Sequence, residues 1–163
     1  LTGWLGYSFL HSVKKDENYY YYAPFDRTHN VKILMNYALS NSWQLNAFWT
    51  FSTGLPYTVP VGKYIGPPND DFGYFQFQEV HSMRLIEGRR NSERFKDFHR
   101  LDIGVSWSFM WGSILYRPYL QVMNVYNSPN PYNYSPSTWQ VTPQEGQERG
   151  SNIFPVIGIT AEF

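Results

Sequence analysis

Four histidines, three closely spaced arginines and a run of tyrosines are the residues of this chain best equipped for chemistry or recognition. His11, His29, His81 and His99 lie far apart, and none has a second histidine four positions away, the spacing that puts two imidazoles on one helical face in a hydrolytic metal site. No nucleophile elbow and no phosphate loop occurs. Asp70 and Asp71 stand beside Pro67 and Pro68 and offer oxygens to calcium. They lack the spaced ligands of a calcium loop, and a solvated loop is the better reading. No catalytic residue, metal or cofactor is expected, and the chain reads as a non-enzyme.

Recognition has better candidates. Arg89, Arg90 and Arg94 form a basic cluster that either attracts an anionic ligand by charge pairing or lies solvated in a loop. Tyr19 to Tyr22, with Tyr20 and Tyr22 as the proposed contacts, present ring faces to a sugar or catecholate, or pack the loop itself. Asp26-Arg27 and Arg100 with Asp102 are two acid–base pairs near the starts of two extended segments.

These residues must be positioned by something, and the composition narrows what. The 163 residues include no cysteine, carry a formal net charge of zero and are 20% aromatic, more than a soluble core needs. Balanced charge removes the electrostatic case for nucleic acid, and the lack of cysteine excludes a disulfide framework and thiolate metal sites. No apolar run approaches the roughly 18 residues of a transmembrane helix. Mean hydropathy is negative, but this does not argue for solubility, because transmembrane β-strands alternate lipid-facing and lumen-facing residues. No signal peptide is visible at Leu1-Thr2-Gly3-Trp4, so an exported protein would have its start upstream.

The apolar positions keep a period of two, which predicts strands with one apolar face. Val31, Ile33, Met35, Tyr37 and Leu39 alternate with polar residues, with Leu34 the exception. Trp43, Leu45, Ala47, Trp49 and Phe51 do the same, with Phe48 the exception. From Arg100 to Phe109 the set is Leu101, Ile103, Val105, Trp107 and Phe109. Leu5, Tyr7 and Phe9 open the chain, and Ile157, Ile159, Ala161 and Phe163 close it. A further segment, about Leu115 to Tyr126, contains Pro118 and shows no consistent parity, so its facing stays open.

Six such segments of about 9 to 13 residues are long enough to cross a bilayer at a tilt. Their connections alternate: Asn41-Ser42 and Met110 to Ser113 are short, while His11 to Arg27, Tyr57 to Asp97 and Ser128 to Ser151 are long. In an up-and-down meander this puts every short turn at one end and every long loop at the other. The expected fold is therefore all-β: about six antiparallel strands of an incomplete transmembrane β-barrel, with short periplasmic turns and long extracellular loops. Trp4, Trp43, Trp107 and Trp111 near strand ends fit interfacial anchors, whereas Trp49 falls mid-strand. Arg100 and Asp102 take the lumen-facing parity, where they either line a ligand path or belong to a structural network.

Several stretches carry a resemblance. Pro24-Phe25-Asp26-Arg27-Thr28-His29-Asn30 precedes one strand, and Trp49-Thr50-Phe51-Ser52-Thr53-Gly54-Leu55-Pro56-Tyr57 ends another. Arg89-Arg90-Asn91-Ser92-Glu93-Arg94-Phe95 leads into His99-Arg100-Leu101-Asp102. Asn124-Val125-Tyr126-Asn127 with Asn130-Pro131-Tyr132 follows, and Pro155 to Phe163 ends the chain. In this order and spacing, residues 1–163 resemble the C-terminal part of the barrel of TonB-dependent outer-membrane receptors. The resemblance implies a full-length importer of about 22 strands with a plug domain upstream. Such a receptor takes up a scarce nutrient (siderophore, cobalamin, glycan or peptide) across the outer membrane of a Gram-negative bacterium.

Its implied partners are outer-membrane lipid, the rest of the barrel and the plug, the TonB-ExbB-ExbD complex and the barrel assembly machinery. For the last, Ile157, Ile159 and Phe163 resemble the assembly signal, with Ala161 departing from the large residue expected there. The alternatives are a soluble, aromatic-rich β-sandwich that binds glycans or serves a structural role, and a barrel of porin or adhesin type without a plug.

Overall fold

The computed structural model describes residues 1–66, 83–134, 147–148, 150 and 152–163. Asp70, Asp71 and His81 lie outside the described residues. Alternating segments become strands as the periodicity requires, and no helix occurs among the described residues. The first half contains β1 (Thr2–Phe9), β2 (Val13–Lys15), β3 (Tyr20–Tyr22), β4 (His29–Ala38), β5 (Trp43–Ser52), β6 (Pro56–Tyr57) and β7 (Pro60–Ile65). The second contains β8 (Met83–Glu87), β9 (Glu93–Arg94), β10 (Phe98–Trp107), β11 (Phe109–Trp111), β12 (Ile114–Met123), β13 (Asn133–Tyr134), β14 (Gln147–Glu148) and β15 (Phe154–Glu162).

The long strands form one antiparallel sheet in the order β1-β4-β5-β10-β12-β15, each beside its sequence neighbour among the long strands. This is the expected meander, and its edges, β1 and β15, are not paired with each other among the described residues. The short strands pair as β2–β3, β6–β9, β7–β8 and β13–β14, all within the long connections. The long loops are thus partly built of small ladders. Expected bounds shift slightly. The first strand starts at Thr2, the fifth long strand runs from Ile114 to Met123, and the last ends at Glu162 with Phe163 just beyond it.

Met110 to Ser113 is not all turn. β11 continues β10 in the same register against β12, leaving a two-residue Gly112-Ser113 connection. Gly112 has φ +61°, which suits the first central position of a II′ hairpin turn and which other residues rarely adopt. The register places Pro118 opposite Trp107, and there the β10–β12 ladder lapses, since proline has no N–H to give. Beside the gap, Ser108 donates its N–H to the Ser42 carbonyl at 2.8 Å and Arg117 Nε donates to Ser108 Oγ at 3.1 Å.

Cross-strand partners share a face, so the register settles the facing of β12. Its even positions Ile114, Tyr116, Pro118, Leu120 and Val122 lie with the odd positions of β10, β11 and β15. The parity is regular; crossing the two-residue turn moved it from odd to even. No residue of the apolar face so formed is buried: it is exposed on the edge strands, with Leu5 at 70% and Ile157 at 81%, and mostly half-buried on the inner ones. Aromatic rings edge it at both ends. At the short-turn end Trp43 stacks on Trp107 at 5.8 Å, Trp107 on Phe109 at 4.7 Å and Phe109 on Tyr116 at 5.6 Å. At the other end Phe9 meets His29 edge-on at 5.5 Å, Trp49 stacks on Phe51 at 6.2 Å and His99 meets Tyr126 at 5.3 Å. Trp49 therefore belongs to the aromatic edge, while Trp4 does not. Trp4 pairs with Leu34, and Leu34 with Phe48, so the exceptions to alternation form one row on the polar face.

Candidate functional site

The buried polar residues lie at the long-loop end: Asp26, Ser52, Asn91, Asp102, Asn124, Ser128 and Asn130 among the described residues, beside the apolar Ala23 and Phe95. A buried polar group without partners costs about 1–3 kcal/mol, so each must be satisfied from within.

Asp26 is fully buried. Its Oδ1 accepts the Ser12 N–H at 2.6 Å, and its Oδ2 accepts the Thr28 hydroxyl at 3.1 Å and Arg94 Nη2 at 2.5 Å. Burial works against the charge, but the Arg94 guanidinium, followed by the Ser12 and Thr28 donors, holds the carboxyl below the usual carboxylate range. Arg94 also donates to the carbonyls of Asp26 at 3.2 Å and Gly54 at 3.0 Å, and lies over the Tyr22 ring at 4.3 Å. One guanidinium thus ties residues 22–26 to the strand end at Gly54. Gly54 permits this through close approach, since a Cβ there would lie 1.9 Å from the Phe95 carbonyl oxygen. Asn91, at φ +51°, adds a second tie, donating Nδ2 to the Tyr22 carbonyl at 2.6 Å and its N–H to Thr58 Oγ1 at 3.0 Å.

The arginine cluster and the tyrosine run, about 70 residues apart in sequence, meet in space. Arg89 lies over the Tyr19 ring at 5.0 Å and Arg90 over Tyr21 at 5.3 Å, with Arg90 Nη1 donating to the Tyr21 hydroxyl at 3.3 Å. That bond to Tyr21 raises the Arg90 value further. Of the two tyrosines expected as contacts, Tyr22 joins this assembly through Arg94. Tyr20 stands apart, exposed, with Lys15 over its ring at 5.9 Å. The alternate positions Tyr19 and Tyr21 also stack on arginines, a pairing the sequence could not reveal because register within long loops carries no hydropathy pattern.

A second buried cluster holds the next loop. Asp102 pairs with Arg100 at 2.9 Å and accepts the Asn124 N–H at 2.9 Å. Asn124 has φ +55°, and beyond it Val125 donates to the Leu101 carbonyl at 2.8 Å. Unbroken register would set Asn124 opposite Leu101, so Asn124 is the extra residue of a bulge where the strand leaves the sheet. Its side chain bonds the Ser128 carbonyl and N–H, the Ser128 hydroxyl bonds Asn130 Oδ1, and His99 donates its N–H to the same oxygen. His99 Nδ1 and the Tyr126 hydroxyl are 3.2 Å apart, and burial raises the Tyr126 value despite a bond from Trp49. Asn91, Asn124, Asn127 and Asn130 all have positive φ. Asparagine tolerates that region better than most residues, which suits it to these turns.

The polar face below completes the site. Arg27 bonds Ser52 Oγ and covers the Phe98 ring at 5.3 Å, and burial lowers its value. Register aligns Lys32, Thr50 and Arg100 in the next row. Asp26 has been drawn off to Arg94, so it no longer neutralises Arg27. Ile157 and Ile159 are exposed on the apolar face, and Phe163 is fully exposed at the terminus. Among the described residues no group of three or more His, Cys, Asp or Glu could hold a metal. When the chain is compared with protein-family models, curated proteins and solved structures, nothing matches.

Proposed function

We propose that this chain is the C-terminal wall segment of an outer-membrane β-barrel of the TonB-dependent receptor type, and serves uptake of a nutrient too large to diffuse through porins. The observation that carries the membrane part is the apolar face. It runs across six strands, none of its residues is buried, and aromatic rings edge it at both ends. Trp and Tyr gather at membrane interfaces because the ring is apolar while the N–H or O–H stays wet. Trp43 and Phe51 stand eight positions apart on β5, about 27 Å along a strand and about 20 Å along the normal at barrel tilt. That approaches the roughly 25 Å apolar band of outer-membrane barrels.

A soluble sandwich would cover such a face with a second sheet, but each small ladder lies within a long connection. The receptor type rests on the resemblance of the motifs, supported by a meander that puts all short turns at one end. The open edges β1 and β15 then pair with the rest of the barrel, because unpaired backbone has no partner in lipid.

Depth-dependent fluorescence quenching by brominated lipids tests the placement. Trp43 and Trp107 should be quenched most strongly by lipids brominated near the headgroup. Recovery of the protein in a detergent-free soluble fraction, with both tryptophans unquenched, would sink the proposal. Uptake by strains with and without an intact TonB complex tests the receptor type separately.

A further inference from the structure

We infer that Arg27, Lys32, Thr50 and Arg100 form a binding site for the anionic groups of a polyanionic ligand on the polar face of the sheet, at its long-loop end. Lys32, Thr50 and Arg100 are cross-strand neighbours in one row, on three adjacent strands. The two cations straddle the Thr50 hydroxyl with backbones about 10 Å apart, twice the strand spacing, within reach of long side chains converging on one ligand. Arg27 sits one row nearer the loops, over Phe98, which pairs with Ser52. All four therefore address the same patch.

The charges do not balance there. Asp26, adjacent to Arg27 in sequence, is committed to Arg94. Asp102 is the one carboxylate paired with these cations among the described residues, and it takes Arg100 alone. Arg100 Nε is buried with no acceptor among the described residues, so even the paired guanidinium is under-satisfied. Lys32 is exposed, and no ion pair joins it or Arg27 to a carboxylate among the described residues. The opposite end of the same face differs, for there Arg117 and Glu162 pair at 3.6 Å. A cationic excess confined to one end, with a hydroxyl donor between the charges, suits a phosphate- or carboxylate-bearing solute with more than one negative group.

This deepens the uptake reading by giving the ligand a charge class, but the binding claim is testable without transport. Titration calorimetry of the intact protein in zwitterionic detergent, at low ionic strength, would use pyrophosphate, inorganic phosphate and glucose as probes. Pyrophosphate should bind more tightly than phosphate, and glucose should give no heat. Lys32→Met should weaken pyrophosphate about tenfold, the loss of one charge-assisted contact, and Lys32→Arg should restore most of it. Lys32 is an exposed side chain, so the fold should survive; Arg27→Gln is the second variant.

Absence of pyrophosphate binding, or equal binding by wild type, Lys32→Met and Arg27→Gln, would overturn the site. If the protein resides in the outer membrane yet binds no polyanion, this inference alone fails. If it binds pyrophosphate but leaves the membrane fraction, the placement fails and the site stands.

Discussion

The sheet wall and the loop-end rim solve opposite problems. On the wall, large apolar side chains remain exposed, as Ile159 is at 61%, while at the rim Asp26 and Asn124 have essentially no exposed surface. An ordinary domain buries the first kind and exposes the second. The inversion teaches where each region finds its stabilisation. On the proposed membrane placement the wall draws on an apolar surrounding outside the molecule, whereas most buried polar groups of the rim meet one another.

The largest test of that contrast is at the rim. Arg94→Met should cost about 3–5 kcal/mol of local stability, because it strands a buried carboxylate. Protease cleavage within residues 10–28 should report it, equally in detergent and in bilayers. Next, Ile103→Lys should cost about 2–4 kcal/mol in a bilayer and less in detergent micelles, where the ammonium reaches water more easily, as read by urea unfolding in each. An equal effect in both media would erase the contrast.

Asn124→Ala should lose about 1–3 kcal/mol from its bonds to Ser128, plus strain at φ +55°. Asn124→Gly should recover only the strain, so melting temperatures should rank wild type, Gly, Ala. Trp43→Ala should remove about 1 kcal/mol of stacking with Trp107, visible as loss of exciton coupling in circular dichroism.

The mildest effect should be the titration of Asp26, since a protonated carboxyl keeps some of its hydrogen bonds. Its folded value is depressed, so its stabilisation is complete above the ordinary carboxylate value of about 3.9 and fades as pH falls through the lowered one. Cleavage within 10–28 should therefore increase on acidification and be indifferent to alkali.

Much of the wall was legible in the residues. Val31 to Leu39, Trp43 to Phe51 and Leu101 to Phe109 declared their facing because a half-apolar strand must alternate. Leu34 and Phe48 looked like blemishes and proved to be partners in a single row with Trp4. The β12 facing was present but obscured, since Pro118 suggested irregularity while it held the same parity as Leu120 and Val122. At the rim, Asp26, Arg27, Arg100 and Asp102 were identifiable as charged residues at strand starts, and Arg100 does pair with Asp102, but the partner of Asp26 was not legible. Arg94 reaches Asp26, and Arg90 reaches Tyr21, across nearly 70 residues, and no local pattern encodes such a meeting. Lys32 went unremarked because a polar-face lysine becomes notable only when its row is known.

The register of the long strands also limits how this chain can change length. Antiparallel neighbours share a face only while the pairing is in step, so one residue inserted in β4, β5 or β10 would turn part of an apolar surface toward the polar side. The two-residue Gly112-Ser113 connection is equally intolerant, because it hands the parity from β11 to β12. The described parts of the connections 10–28, 53–97 and 124–153 lie outside the ladders of the long strands. There, insertions and deletions of odd or even size leave the wall untouched, so length variation among descendants of this sequence should accumulate at one end of the sheet and be nearly absent from the other.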